Sequence, residues 1–128
     1  MGKGTSWLFL ESSQFQEARR THLSDVEFEA VKELLPRHPD KWVALKGGPG
    51  LFGLHWSVKD PVTIVFAISP EAKKIYLLGI ERGVHSSVTD DVKKALPGLL
   101  KQLENLGVRI AVGYTLRQLI KWLMDLWP

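Results

Sequence analysis

The chain has 128 residues, of which 45% are apolar and 24% are charged, and it contains no cysteine. This balance predicts one globular domain with a single core, and the missing cysteines exclude disulfides, thiolate zinc sites and a cysteine nucleophile. The net charge of +3 permits an anionic partner, but so small a basic excess does not by itself indicate nucleic-acid binding.

Membrane association is not expected from the sequence. No apolar run approaches the roughly 20 residues that a membrane-spanning helix needs. The N-terminus also lacks a basic segment followed by a long apolar region, which is the pattern of a secretory signal. We therefore expect a cytoplasmic protein with no membrane partner.

The N-terminal segment predicts a strand followed by a helix. Trp7, Leu8, Phe9 and Leu10 form a short apolar run after a polar start, which is consistent with a first strand. This strand could pair with strands later in the chain. The polar stretch around Phe15 predicts a helix that ends near Thr21 and His22.

A second helix is indicated by a capping box, in which a serine and a glutamate three residues later satisfy two backbone donors. Ser24 and Glu27 have this spacing. Apolar residues then recur on one face of the predicted helix, namely Phe28, Val31, Leu34 and Leu35. We expect Pro36 and Pro39 to end it, because proline lacks an amide hydrogen and disfavours helix in the preceding residue.

The middle of the chain predicts an antiparallel β-meander. A glycine turn at 47–50 is followed by three β-type runs at 51–57, 62–68 and 74–80, each ending at charged or turn-forming residues. A shorter run at 42–45 is a further candidate strand. We expect any functional site to lie on one face of this sheet or in its loops.

The C-terminal third predicts helices. Thr89 and the two aspartates after it have the pattern of a helix N-cap, and Pro97 interrupts the apolar stripe that follows. Alternation over 108–112 suits a strand, and apolar residues at helical spacing over 116–126 predict a final helix. The prediction is one α+β domain over residues 1–128, in which N-terminal helices pack on a small meander and residues 105–128 form a C-terminal extension.

Candidate chemistry is concentrated at the ends of the predicted strands. His55 lies in a β-type run, where a neutral imidazole can act as a general base and a charged one can hold a phosphate. Glu81, Arg82 and His85 lie within five positions, so Arg82 can bind phosphate and Glu81 or His85 can move protons. A solvent-facing or core histidine and a solvated loop remain open as alternatives.

Other polar motifs have simpler explanations. The glycine turn at 47–50 could expose amides to a phosphate, but it lacks the remainder of a P-loop, which favours a structural turn. Lys59 lies in a predicted hairpin turn and is a candidate phosphate contact. His22 and His38 have no companion at ligand spacing, so no metal site is expected.

Two large aromatic residues mark the predicted final helix. Trp122 and Trp127 are anchors suited to a partner interface, although core packing is the commoner use of such a stripe.

The order of these elements resembles the RelE/ParE toxin superfamily, particularly its HigB-like branch, over roughly residues 8 to 100. The residues that carry the resemblance are Leu23-Ser24-Asp25-Val26-Glu27-Phe28, Leu34-Leu35-Pro36-Arg37-His38-Pro39, Gly47-Gly48-Pro49-Gly50-Leu51-Phe52-Gly53-Leu54-His55-Trp56 and Lys74-Ile75-Tyr76-Leu77-Leu78-Gly79-Ile80. The resemblance implies a toxin that binds the ribosome or RNA, cleaves messenger RNA and is held inactive by a cognate antitoxin. Such enzymes use no metal or other cofactor: a base activates the ribose 2′-hydroxyl, and basic groups stabilise the developing phosphate charge.

The chain departs from the family pattern where that chemistry resides. In the first core strand, where a Lys-Leu-Arg sequence is common, only His55 offers a comparable polar group. The arginine that commonly opens the next strand aligns best with Thr63. After the last strand, where tyrosine and lysine are usual, the chain has Glu81, Arg82 and His85.

Two functional hypotheses follow from the resemblance. As a ribonuclease, the chain would use His55 or His85 in proton transfer and Arg82, Lys59 and Lys46 on phosphate. As a non-catalytic toxin-like binder, it would act on a protein, as gyrase-directed relatives do, with the C-terminal tryptophans contacting the partner. The superfamily resemblance places RNA cleavage first.

Overall fold

The computed structural model describes residues 7–47, 50–57, 60–69, 73–94 and 98. Its elements in chain order are β1 (Leu8–Glu11), α1 (Ser13–His22), α2 (Asp25–Arg37), a short 3₁₀ turn (Pro39–Lys41), β2 (Trp42–Ala44), β3 (Leu51–Ser57), β4 (Pro61–Ser69) and β5 (Lys74–Arg82). A further helix, α3, begins at Asp90 and is described as far as Lys94. The predicted α+β class is therefore confirmed. In the part of the chain that is described, no helix is long and apolar enough to cross a membrane.

The strands form one five-stranded mixed sheet in the order β1-β5-β4-β3-β2. β2 to β5 are antiparallel neighbours, which confirms the predicted meander. β1 joins the edge of β5 in parallel, with Leu8 opposite Lys74. Parallel pairing needs a long connection between the two strands, and here both N-terminal helices and three strands lie between them. The predicted first strand therefore forms one edge of the sheet, and β2 forms the other.

Side-chain hydrogen bonds define the starts of both N-terminal helices. The Oγ of Ser12 accepts from the amide of Phe15 at 3.0 Å at the start of α1. At the start of α2, the Oγ of Ser24 accepts from the amide of Glu27, and the Glu27 carboxylate accepts from the amide of Ser24, each at 3.1 Å. The predicted capping box is confirmed.

Pro36 does not end α2, contrary to the sequence prediction. The helix continues through Pro36 to Arg37, and His38 caps it with an amide hydrogen bond to the carbonyl of Leu34 at 2.9 Å. Proline in a last turn removes only one hydrogen bond from the end of the ladder, which the helix tolerates. The end of α2 coincides instead with the residues just before Pro39.

Replacing Ser24 with alanine is expected to lower the free energy of unfolding by about 1 kcal/mol, because the amide of Glu27 loses its capping acceptor. The measurement is the urea midpoint of the full chain. Ser24→Asp is the matched control, since its carboxylate can still accept at the N-cap, and it should stay close to wild type. An unchanged midpoint for Ser24→Ala would contradict this expectation.

Both faces of the sheet carry apolar side chains. We call the side packed by α1 and α2 the helix face; its buried cluster comprises Phe15, Leu23, Phe28, Val31, Leu35, Trp42, Phe52, Leu54, Val62, Ile64, Phe66, Ile68, Ile75, Leu77 and Ile80. We call the other side the strap face, because residues 83–88 cross it. Its smaller buried cluster comprises Leu45, Leu51, Val65, Ala67, Tyr76, Leu78, Val88 and Val92. Strand β4 is consequently buried from Val62 to Ser69. Val88 and Val92 show that the chain returns over the sheet after β5.

Candidate functional site

Residues 83–88, which we call the strap, leave the end of β5 and cross the strap face of the sheet. Gly83 has a φ of 87°, a left-handed conformation that suits glycine, and its amide donates to the carbonyl of Pro61 at 2.8 Å. Further along, the amide of Lys46 donates to the carbonyl of Ser86, and the amide of Val88 donates to the carbonyl of Lys46. The strap thus connects β5 and β4 with the segment that follows β2.

His55 is exposed on β3, and its ring contacts the strap. Its Nε2 lies 2.8 Å from the carbonyl oxygen of His85. Because a carbonyl only accepts hydrogen bonds, Nε2 must carry the hydrogen in this contact. Among the described residues the Nδ1 of His55 makes no hydrogen bond, so in the neutral ring that nitrogen holds the basic lone pair.

His85 is half-buried in the strap and is held at both its ring and its backbone. Its Nε2 lies 2.5 Å from the carbonyl oxygen of Arg82, which again requires the hydrogen on Nε2. Its amide donates to the hydroxyl of Thr63 at 2.9 Å. The structure therefore brings His55 and His85 together, although they are 30 residues apart in the chain.

Glu81 shares the strap face with His55. In the strand register His55 is opposite Thr63, and Thr63 is opposite Glu81, so the three residues form one row across β3, β4 and β5. The Glu81 carboxylate accepts a hydrogen bond from the hydroxyl of Thr89. The Thr89 hydroxyl also accepts from the amide of Val92 at 3.3 Å, which confirms the predicted N-cap of α3. Glu81 thereby links β5 to the start of that helix.

Arg82 lies at the exposed end of β5 and starts from the other side of the sheet. It is opposite Val62, which packs in the helix-face cluster. Because side chains alternate along a strand, Arg82 and Glu81 project from opposite faces. The structure does not place the guanidinium on the face that carries His55.

A second lysine accompanies Lys46 near the strap. Lys46 is exposed, and its backbone pairs with the strap just after His85. The Cε of Lys93, on α3, lies 3.7 Å from the position that a Cβ on Gly47 would occupy. The sequence offered no signal for this proximity, because Gly47 and Lys93 are far apart in the chain. Lys59, Trp122, Trp127 and the predicted elements beyond residue 98 lie outside the described residues.

Ionisation of Tyr76, in the strap-face cluster, makes the free energy of unfolding depend on pH. Its side chain is fully buried, and burial raises the pKa of the hydroxyl from 10.0 to about 12, because desolvation disfavours the phenolate. Between these two values the unfolded chain releases the proton and the folded chain keeps it. The free energy of unfolding must therefore fall as the pH rises through this range.

We expect the urea midpoint of the wild-type chain to drop between about pH 9 and about pH 11 by more than that of Tyr76→Phe, which has no phenol to ionise. Comparing the two proteins at each pH removes the contribution of groups they share. An equal drop in both proteins would show that Tyr76 does not contribute.

No protein-family model matches the sequence, and no curated protein matches it. Among solved structures, the chain is similar to a chain of the intact E. coli RelBE toxin–antitoxin complex, at 12% identity and a TM-score of 0.46, over 62% of this chain and 100% of that chain. RelBE2 from Mycobacterium tuberculosis, also a toxin–antitoxin complex, matches at 15% identity and a TM-score of 0.48, over 62% of this chain and 100% of that chain. The isolated E. coli RelE toxin matches at 12% identity and a TM-score of 0.46, over 74% of this chain and 100% of that chain. These are similarities of backbone shape, and they assign no role to any residue of this chain.

Proposed function

We propose that this chain is the toxin of a type II toxin–antitoxin pair, of the HigB-like branch, and that it cleaves messenger RNA without a metal and so inhibits translation. The order of sequence motifs that resembles the RelE/ParE superfamily supports the toxin assignment. The observation that carries the cleavage proposal is the contact between Nε2 of His55 and the carbonyl of His85 at 2.8 Å. This contact holds the exposed imidazole of His55 through Nε2, and it leaves the basic nitrogen, Nδ1, available to a substrate.

The proposed reaction uses the two histidines as base and acid. Nδ1 of His55 takes the proton from a ribose 2′-hydroxyl while that oxygen attacks the adjacent phosphorus. The bond from phosphorus to the 5′ oxygen breaks, and His85 in its charged form gives a proton to the departing oxygen through Nδ1. The products are a 2′,3′-cyclic phosphate and a 5′-hydroxyl; His55 has gained the proton of the 2′-hydroxyl, and His85 has given its own proton to the 5′ oxygen.

Cations near the strap stabilise the charge that develops on the phosphate in this proposal. Lys46 is the first of them, and Lys93 adds a second ammonium group close to Gly47. Arg82 and Lys59 are assigned to neighbouring phosphates of the RNA, since Arg82 starts from the opposite face of the sheet. We assign Glu81 to proton transfer, because it lies in the same row and on the same face of the sheet as His55.

The partners proposed for the chain follow from the same assignment. They are a cognate antitoxin protein and the ribosome or its bound messenger RNA, in the cytoplasm. We assign Trp122 and Trp127 to the partner interface, because large aromatic side chains are common anchors of protein interfaces.

The test is to add the purified full chain to a cell-free translation reaction that contains one defined message, and to map the ends of the RNA fragments. We expect cleavage that leaves a 2′,3′-cyclic phosphate, and we expect a message carrying a 2′-deoxyribose at the mapped position to resist cleavage there. Induced expression in cells should likewise arrest growth with fragmented messages.

Growth arrest with intact messages would instead support the second candidate, a non-catalytic module that binds gyrase or another protein. The placement of Arg82 on the face opposite His55 favours this candidate, since it removes one expected cation from the proposed phosphate site. If the chain causes neither cleavage nor growth arrest, both toxin functions are wrong.

A further inference from the structure

We propose that Thr63 is a positioning residue that holds His55 as the Nε2–H tautomer by anchoring the strap. This inference rests on the proposed function, in which His55 acts through Nδ1. The superfamily resemblance aligns Thr63 with an arginine, but here the side chain is fully buried and unable to reach RNA. Its role must therefore be exercised through the groups that it contacts.

The hydroxyl of Thr63 makes two hydrogen bonds to the strap. It donates to the carbonyl of Gly83 at 2.8 Å and accepts from the amide of His85 at 2.9 Å. A hydroxyl can donate once and accept at the same time, so a single side chain satisfies one acceptor and one donor of the strap backbone. The two contacts determine where the backbone of His85 lies above β4.

The carbonyl of the same residue receives the ring hydrogen of His55. The links therefore run from the hydroxyl of Thr63 to the amide of His85, and from the carbonyl of His85 to Nε2 of His55. If the strap moves, the His55 ring loses the acceptor that distinguishes its two nitrogens. An exposed imidazole without that acceptor can place its hydrogen on either nitrogen.

Gly53 makes room for the Thr63 side chain in this arrangement. A Cβ on Gly53 would lie 2.9 Å from the Cγ2 methyl of Thr63 and 3.1 Å from Cδ2 of Leu45. The space above Gly53 is thus occupied by the threonine methyl, which leaves the hydroxyl directed at the strap. A β-branched side chain has few alternative rotamers, so the glycine indirectly determines where the hydroxyl points.

The experiment compares the wild-type full chain with Thr63→Val and Thr63→Ser. Valine keeps the shape of threonine and removes the hydroxyl, whereas serine keeps the hydroxyl. We expect Thr63→Val to lower kcat for RNA cleavage roughly 10- to 100-fold with little change in KM, because it displaces the base His55 and the acid His85, whereas Lys46 and Lys93 belong to segments that Thr63 does not contact. Thr63→Ser should recover most of the loss.

The second measurement is the tautomer of His55, determined from the ¹⁵N chemical shifts of the labelled ring at a pH where the ring is neutral. A variant that only destabilises the fold would leave this tautomer unchanged. We expect Nε2–H in the wild type and Thr63→Ser, and a mixture of tautomers in Thr63→Val. Val31→Ala, which removes buried volume in α2 on the far side of the sheet, is the matched destabilised control. It should keep the wild-type tautomer.

Two further measurements keep the proposal testable if Thr63→Val does not fold. Gly53→Ala should reproduce the mixed tautomer by displacing the Thr63 methyl, and the amide of His85 should exchange slowly with solvent in the wild type. Fast exchange of that amide, or an unchanged tautomer and cleavage rate in a folded Thr63→Val, overturns the positioning role. If the wild type does not cleave RNA, the proposed function fails, and the ring signals alone still decide whether Thr63 sets the tautomer.

Discussion

A chain carrying His55→Ala is expected to lose messenger RNA cleavage by about 10² to 10⁴-fold, the usual contribution of a positioned general base. The alanine removes the exposed imidazole without disturbing the core, because His55 lies on the solvent-exposed part of β3. The strap keeps its other anchors, namely the hydroxyl of Thr63 and the backbone of Lys46. The loss should therefore appear in kcat while the urea midpoint stays near that of the wild type.

His38→Ala is the matched control for this variant. His38 is exposed at the end of α2, and its only described polar side-chain contact is a 3.9 Å approach to Asp40. It should cleave at the wild-type rate and arrest growth as the wild type does. Cells expressing His55→Ala should grow. If His55→Ala cleaves RNA as fast as the wild type, another group is the base. If His55→Ala still arrests growth while the messages stay intact, the protein-binding function is favoured.

Trp42→Ala is expected to lower the free energy of unfolding by about 3–5 kcal/mol, the range typical for deleting a large buried aromatic side chain. The Trp42 ring lies 5.7 Å from that of Phe52 and 5.2 Å from that of Phe66, between centroids. Its Nε1 donates to the carbonyl of Leu35 at 3.0 Å, which ties β2 to the end of α2. The substitution removes packing on the helix face and leaves that carbonyl without its donor.

The comparison with Trp42→Phe separates these two losses. Phenylalanine keeps an aromatic ring in the cluster but cannot donate to the Leu35 carbonyl, so we expect a smaller loss, about 1–3 kcal/mol. Urea unfolding of both variants gives the difference. Equal midpoints for Trp42→Ala and the wild type would mean that the helix-face cluster does not depend on this ring.

Local signals in the sequence were sufficient for most of the fold. The capping box at Ser24 and Glu27 and the N-cap at Thr89 are hydrogen bonds between near neighbours, and both are present as predicted. The meander was predictable because its strands are consecutive in the chain. Pro36 was misjudged because the pattern does not reveal whether a proline falls in the last turn of a helix or before it.

The arrangement of the candidate site was not predictable in the same way. The histidines and acidic residues could be named from the sequence, but their contacts depend on the strap, whose path is determined by the hydroxyl of Thr63 and the backbone of Lys46. No periodicity or motif signals such long-range contacts. Thr63 and Lys93 were missed as contributors for this reason, and the strand register was needed to show that Glu81, and not Arg82, shares a face with His55.

The parallel pairing of β1 with β5 has a consequence for synthesis of the chain. The first strand emerges from the ribosome early, but its partner begins at Lys74, opposite Leu8. A nascent chain that ends before Lys74 contains the helices and part of the meander, but β1 has no strand to pair with. The strap that bears His85 is made later still. Contacts between such distant segments form late in folding. The order of translation thus delays assembly of the proposed RNA site until almost all of the described domain has been made.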